Sequence, residues 1–244
     1  MFYFSATGNS LSLTKVIANN FSNVKLISIP QVIVKTIKEY QDEIIGFVFP
    51  IYGYAPPKMV NNFLKKTKFK AEYIFAIETC GGTILSSLYN LQQQALHLGY
   101  HIDYVAHLAM VSNYLPKFDI NYEIKERLPK KNVKTNLDNI ISDIKNFKHN
   151  KAEVSNKDRF ITFLVKIGSK LVMNGKQAQN YIIDNKCNKC ATCIKVCPVY
   201  NISFKDNINK EIIFSNKCEY CMACIHLCFE NALHLKMRNQ QYDD

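Results

Sequence analysis

The first half of the chain alternates short continuous apolar runs with stretches whose apolar residues recur at helical spacing. The runs are Phe2 to Phe4, Val24 to Ile29, Ile44 to Phe49, Tyr73 to Ile77 and Tyr104 to Val111. Between them, Leu13, Val16, Ile17 and Phe21 follow Asn9-Ser10, and Met59, Val60, Phe63 and Leu64 follow Pro56-Pro57. Leu85, Leu88, Leu91 and Leu98 follow Gly81-Gly82. Strands apolar on both faces, separated by amphipathic helices, predict a parallel sheet covered on both sides. The pattern therefore predicts an α/β, doubly wound, five-stranded domain over residues 1–150. Residues 151–180 read as a basic connector. Its Phe160, Leu164, Ile167 and Leu171 share one helical face, expected to pack on the first domain.

From residue 181 to 244 the pattern is set by cysteine. Eight of the nine cysteines lie here. Cys187-x2-Cys190-x2-Cys193-x3-Cys197-Pro198 recurs as Cys218-x2-Cys221-x2-Cys224-x3-Cys228-Phe229, every cysteine displaced by 31 residues. A disulfide scaffold would not leave the first 186 residues with Cys80 alone. Zinc sites also use C-x2-C pairs, but rarely as four-cysteine runs repeated at one offset. Three thiolates at x2 spacing can wrap three corners of an iron–sulfur cubane, and a fourth arrives from the start of a helix.

The opening segment Phe2-Tyr3-Phe4-Ser5-Ala6-Thr7-Gly8-Asn9-Ser10 runs from a strand into a helix. Such a helix N-terminus offers backbone amides to a phosphate, and the hydroxyls of Ser5, Thr7 and Ser10 can add to them. Two more loops follow strand ends. One carries Pro50-Ile51-Tyr52-Gly53 and the other Thr79-Cys80-Gly81-Gly82. They flank the point where strand order reverses, the usual ligand crevice of such sheets. Cys80 lacks an evident His partner and reads as a small packed residue. No catalytic residue emerges. His226, between Cys224 and Cys228, is expected at the surface.

These features resemble known families. Residues 181 to 235 look like a bacterial two-cluster ferredoxin. On that resemblance one 4Fe–4S cluster is held by Cys187, Cys190, Cys193 and Cys228, and the other by Cys218, Cys221, Cys224 and Cys197. The usual Pro after the fourth Cys is present as Pro198 and replaced by Phe229. The Ser5 to Ser10 loop resembles the FMN phosphate loop of flavodoxins, which implies strand order 2-1-3-4-5 and ring contacts near Tyr52, Cys80 and Gly81. The order of segments, together with Met110-Val111-Ser112-Asn113-Tyr114, resembles flavodoxin–ferredoxin fusion proteins of anaerobes. The resemblance implies FMN and two clusters in electron transfer.

Composition narrows the partners. The formal net charge is +11. Residues 125–177 alone hold 13 Lys and Arg against 5 Asp and Glu, a net of +8. That segment reads as a solvated basic connector or, more sharply, as a docking surface for an acidic redox partner protein or an anionic surface. No nucleic-acid motif accompanies it. No run reaches the ~18 apolar residues of a membrane span. With no leader pattern after Met1, the sequence predicts a cytoplasmic, reduced protein. The first function expected is an electron relay between FMN, the clusters and partner proteins. The rival is an FMN-dependent reductase of a small molecule. Direct NAD(P)H oxidation is disfavoured because no G-x-G-x-x-G occurs.

Overall fold

A computed structural model describes residues 1–34, 39–172 and 175–236, with the side chains of 169–172 and 177 outside the described part. The strands are β1 (Phe2–Tyr3), β2 (Ile27–Ser28), β3 (Glu39–Gln41), β4 (Ile44–Pro50), β5 (Lys68–Lys70), β6 (Tyr73–Cys80), β7 (Tyr104–Ala109), β8 (Tyr181–Ile183), β9 (Ile202–Phe204), β10 (Ile212–Phe214) and β11 (Leu233–Leu235). The α-helices are α1 (Asn9–Ala18), α2 (Ile29–Val32), α3 (Lys58–Lys66), α4 (Ser87–His97), α5 (Ile120–Tyr122), α6 (Val133–Lys145), α7 (Asn156–Val172), α8 (Thr192–Lys195) and α9 (Ala223–His226).

The main sheet runs β2-β1-β4-β6-β7, all parallel. Counting only its own strands, that is order 2-1-3-4-5, a flavodoxin-like doubly wound sheet. The five apolar runs became its five strands; the inner β4 and β6 are buried on both faces, with all eight residues of β6 buried, while the edge strands β2 and β7 are partly open. One core packs Phe2, Phe4, Phe47, Phe63 and Phe69 under α3 and α4. The other packs Leu13, Ile17, Ile77, Ile140 and Ile144 under α1 and α6. Beside this sheet, β3 and β5 pair in parallel, a pair the apolar pattern did not announce. The C-terminal unit is small and separate in build. Its β8 pairs antiparallel with β11, and β9 with β10, around a core containing Tyr181, Ile202, Cys224 and Leu233.

The connector differs from expectation. Thr162 is buried, but Phe160 (61%), Phe163 (58%), Leu164 (50%) and Ile167 (48%) are exposed. The helix packs through its Thr162 side, where that hydroxyl accepts from the Ser86 amide at 3.3 Å. The apolar face expected to pack therefore points away; the side chain of Leu171 lies outside the described residues. Val16 and Leu98 are also more exposed than their helical phase suggested. Among the described residues, no helix is long and apolar enough to cross a membrane.

Candidate functional site

Gly8 ends the first loop at φ +106, a conformation that side chains other than glycine's rarely adopt. It leads into α1, whose N-terminus has no side-chain cap and no acidic residue in its first turn. A Cβ at Gly8 would meet nothing within 4 Å, so there is open space beside this residue. An uncapped helix start of this kind suits an anion. Ser5 is close by, its Oγ accepting from the Gly8 amide at 3.2 Å. Ser10 and Thr79 are different: both are buried, and their hydroxyls hydrogen-bond one another at 2.8 Å. Those two expected contacts serve to tie α1 to β6. The fit to a phosphate thus rests on backbone amides, with Ser5 and Thr7.

The second loop is a tight turn. The Tyr52 amide donates to the Ala55 carbonyl at 2.8 Å, with Gly53 (φ +59) and Tyr54 (φ +63) both left-handed. Only glycine takes that conformation at little cost, so Tyr54 carries local strain. The Ile51 amide donates to the Thr79 carbonyl at 3.0 Å, which fixes this loop beside the third. In the third loop, Gly81 approaches the chain after β7. A Cβ there would stand 2.7 Å from Ser112 Cβ, so only glycine permits this approach. Cys80 is buried, its Sγ donates to the Gly82 carbonyl at 3.0 Å, and burial pushes its thiol up to about 11. It is a packed thiol whose raised pKa disfavours the thiolate.

A cluster not foreseen from the sequence holds the segment after β7. Glu123 is fully buried. Its Oε2 accepts from the Ser112 amide at 3.2 Å and Lys131 Nζ at 3.0 Å, and its Oε1 from Arg127 at 2.9 Å. These donors together outweigh the burial that would raise its pKa, and hold it below the usual carboxylate value. Lys131 also donates to the Met110 carbonyl at 2.7 Å, and Asn9 Nδ2 to the Val111 carbonyl at 2.9 Å. Asn113 Nδ2 donates to the Thr7 hydroxyl. The three loops and this segment therefore converge around the α1 N-terminus. The spacing Glu123-x3-Arg127-x3-Lys131 was the available signal.

The cysteines gather in two concavities. One is lined by Cys187, Cys190, Cys193 and Cys228. The other is lined by Cys197, Cys218, Cys221 and Cys224. Each takes three thiols from one block and the fourth from the other. The backbone repeats as the sequence does: Lys189, Ala191 and Tyr200 have positive φ, and so do Tyr220, Met222 and Asn231, each 31 residues on. Alternating left-handed residues turn amides inward, a concavity suited to an anionic cluster. The Asn201 amide donates to Cys197 Sγ at 3.2 Å and the Ala232 amide to Cys228 Sγ at 3.3 Å. Burial pushes Cys193 up to about 11 and Cys221 up to about 12, so metal must displace their protons. Among the described residues, no three His, Cys, Asp or Glu stand as a site for a single metal ion. A mononuclear zinc site would draw its sulfurs to ~2.3 Å from one centre. Four cysteines that share a concavity without meeting that geometry suit a cluster rather than a single ion.

The second concavity adjoins the first domain. Glu219, beside Cys218, is buried and accepts from the Lys58 and Met59 amides at 3.0 and 2.8 Å, at the start of α3. Burial, then the charges at Cys221 and Glu219, hold the Tyr52 phenol well above its ordinary range, so it stays neutral. The Tyr114 and Tyr220 rings meet edge to face, 5.8 Å between centroids. His226 is half-buried, and its Nε2 donates to the Asn113 carbonyl at 2.8 Å. It was expected at the surface; the packing of the two units covers it.

Residues 179–229 match the family described as a 4Fe-4S dicluster domain. No curated protein matches the chain. Among solved structures, the chain is similar to a candidate flavoprotein from Bacteroides uniformis ATCC 8492, at 18% identity and TM-score 0.35, over 44% of this chain and 86% of that one. It is also similar to the Trp repressor binding protein from Bacillus subtilis, at 12% identity and TM-score 0.30, over 43% of this chain and 81% of that one. The dicluster match supports iron–sulfur binding by the C-terminal unit.

Proposed function

We propose that the chain is an electron-transfer protein that binds FMN on its first domain and two 4Fe–4S clusters on its second, and passes electrons to or from a redox partner protein. The observation that carries this is the sorting of eight cysteines into two four-thiol concavities, one ligand crossing each way. When bound, FMN would supply two-electron storage and the cubanes one-electron steps. The chain's own residues do the rest. The α1 amides, Ser5 and Thr7 would hold the phosphate. The Tyr52 turn and the Cys80–Gly82 loop would flank the ring. The amides on Cys197 and Cys228 would tune cluster potentials by hydrogen bonding to sulfur.

Anaerobic preparation, with iron, sulfide and flavin counted per chain, tests the reading. One FMN and about eight irons are expected. Iron near four, or zinc without sulfide, would reject it.

A second reading has one observation in its favour. A cavity of about 780 Å³ opens beside the Tyr52 turn, lined among others by Lys58, Asn61, Gln94 and Lys166. That is the size of a small-molecule site. Were the protein an FMN-dependent reductase, substrate would enter here, and steady-state turnover of a small acceptor without any partner protein would reveal it.

A further inference from the structure

The two cysteine blocks are equal in spacing and unequal in surroundings. Among the described residues, these contacts join the C-terminal unit to the first domain. Val199 packs against the core under α3, Glu219 caps α3, Tyr220 meets Tyr114, and His226 bonds Asn113. All four residues lie within two positions of a cysteine lining the second concavity. Their counterparts, 31 residues away in the repeat, are Glu230, Asn188, Lys189 and Lys195, and every one is exposed. Cys190 is exposed while its counterpart Cys221 is half-buried, and Cys193 is half-buried while its counterpart Cys224 is buried. On the other side of the contact stand the Tyr52 turn, the start of α3 and the segment after β7. The first and last of these border the proposed flavin site.

We propose that the cluster held by Cys197, Cys218, Cys221 and Cys224 is the inner one, facing the flavin, that Glu219 clasps it there, and that the cluster held by Cys187, Cys190, Cys193 and Cys228 is the outer one, facing the partner. This rests on the electron-transfer reading and adds an order to it. The residues lining the two concavities would then set a path: an electron exchanged between the flavin and a one-electron redox protein would pass through the cluster that Cys197, Cys218, Cys221 and Cys224 would hold and through the one that Cys187, Cys190, Cys193 and Cys228 would hold, in either direction. Glu219 is a positioning residue. Its carboxylate satisfies two of the amides that a helix start leaves without partners.

The test uses the full chain loaded anaerobically with flavin and iron. A paramagnetic cubane close to the flavin speeds relaxation of the flavin's one-electron EPR signal, read by microwave-power saturation. Cys221→Ala should abolish that enhancement, and Cys190→Ala should leave it. Enhancement that survives Cys221→Ala and vanishes in Cys190→Ala would overturn the order. A lost ligand can unfold the small domain, so Glu219→Ala gives a second test with all eight cysteines in place. Hydrogen exchange at the Lys58 and Met59 amides should lose protection, and the relaxation enhancement should weaken. If either is unaltered, the clasp is wrong. A wild-type chain that takes up no flavin or no cubane would reject the underlying reading instead, and is distinguished by the metal and flavin counts.

Discussion

Glu78 offers a test of the sheet beneath the proposed flavin site. Its carboxyl is fully buried on β6, two residues before Cys80. Ser87 Oγ donates to Oε1 at 2.9 Å, and Oε2 has no partner among the described residues. Burial pushes the pKa from 4.5 up to about 8, against the opposing bond from Ser87. Glu78 is thus largely neutral at pH 7 in the folded chain and ionised in the unfolded one. Since the folded value is the higher, its favourable contribution is full below pH 4.5 and is lost progressively as pH rises to about 8. The difference of about 3.5 units, at ~1.36 kcal/mol each, gives a total loss of about 5 kcal/mol. About 2 kcal/mol of it is already lost by pH 6, leaving about 3 kcal/mol between pH 6 and pH 9. Glu78→Gln keeps an oxygen for Ser87 and cannot ionise. Relative to wild type it should gain about 3 kcal/mol over that range. With a urea slope of ~2 kcal/mol/M, the gap between midpoints should widen by about 1.5 M. Urea titrations followed by far-UV circular dichroism at matched pH would read it. A gap that is constant from pH 6 to pH 9 would refute the argument, because it would mean that Glu78 ionises in the fold.

Other outcomes follow from the same structure. Gly8→Val should lower FMN affinity without changing iron content, since the added Cβ meets no atom and the cost is backbone strain of ~1–3 kcal/mol at φ +106. Thr7→Val should do the same by removing the hydroxyl that receives Asn113; flavin-binding titration reads both. Cys197→Ala should damage the cluster wrapped by Cys218, Cys221 and Cys224, and Cys228→Ala the other, as read by paired EPR spectra; both mutants losing the cluster of their own block would mean no crossing. Electron-transfer rates with an acidic partner should fall as salt rises, because residues 125–177 carry a net +8.

The central sheet was legible because its strands lie in mostly apolar runs, longest in β4 and β6. The β3–β5 pair was not. Lys68-Phe69-Lys70 has one apolar residue in three, and its place is set by pairing with Glu39–Gln41 across more than 25 residues. The connector helix misled for a related reason. Phe160, Leu164 and Ile167 share a face by phase alone, and phase does not say which face meets the protein. The strand, glycine and helix start of the loop proposed to hold a phosphate were legible. The inward turn of Ser10 was not, because its partner Thr79 lies 69 residues away.

The cysteine blocks show where local pattern stops informing. Ligand spacing is a constraint within ten residues, so both blocks announce themselves. Which block faces the first domain depends on amides 160 residues distant from Glu219, and no local period records that. Yet a trace was present. At matched positions the repeat changes Asn188 to Glu219, Lys189 to Tyr220 and Lys195 to His226. Two long cations, residues that stay hydrated, give way to rings, and an amide gives way to a carboxylate that can cap a helix. In an internal repeat whose ligands are fixed by chemistry, the residues between the ligands are free to diverge. The direction of divergence, away from hydrated lysine, marks the copy that became buried against its neighbour.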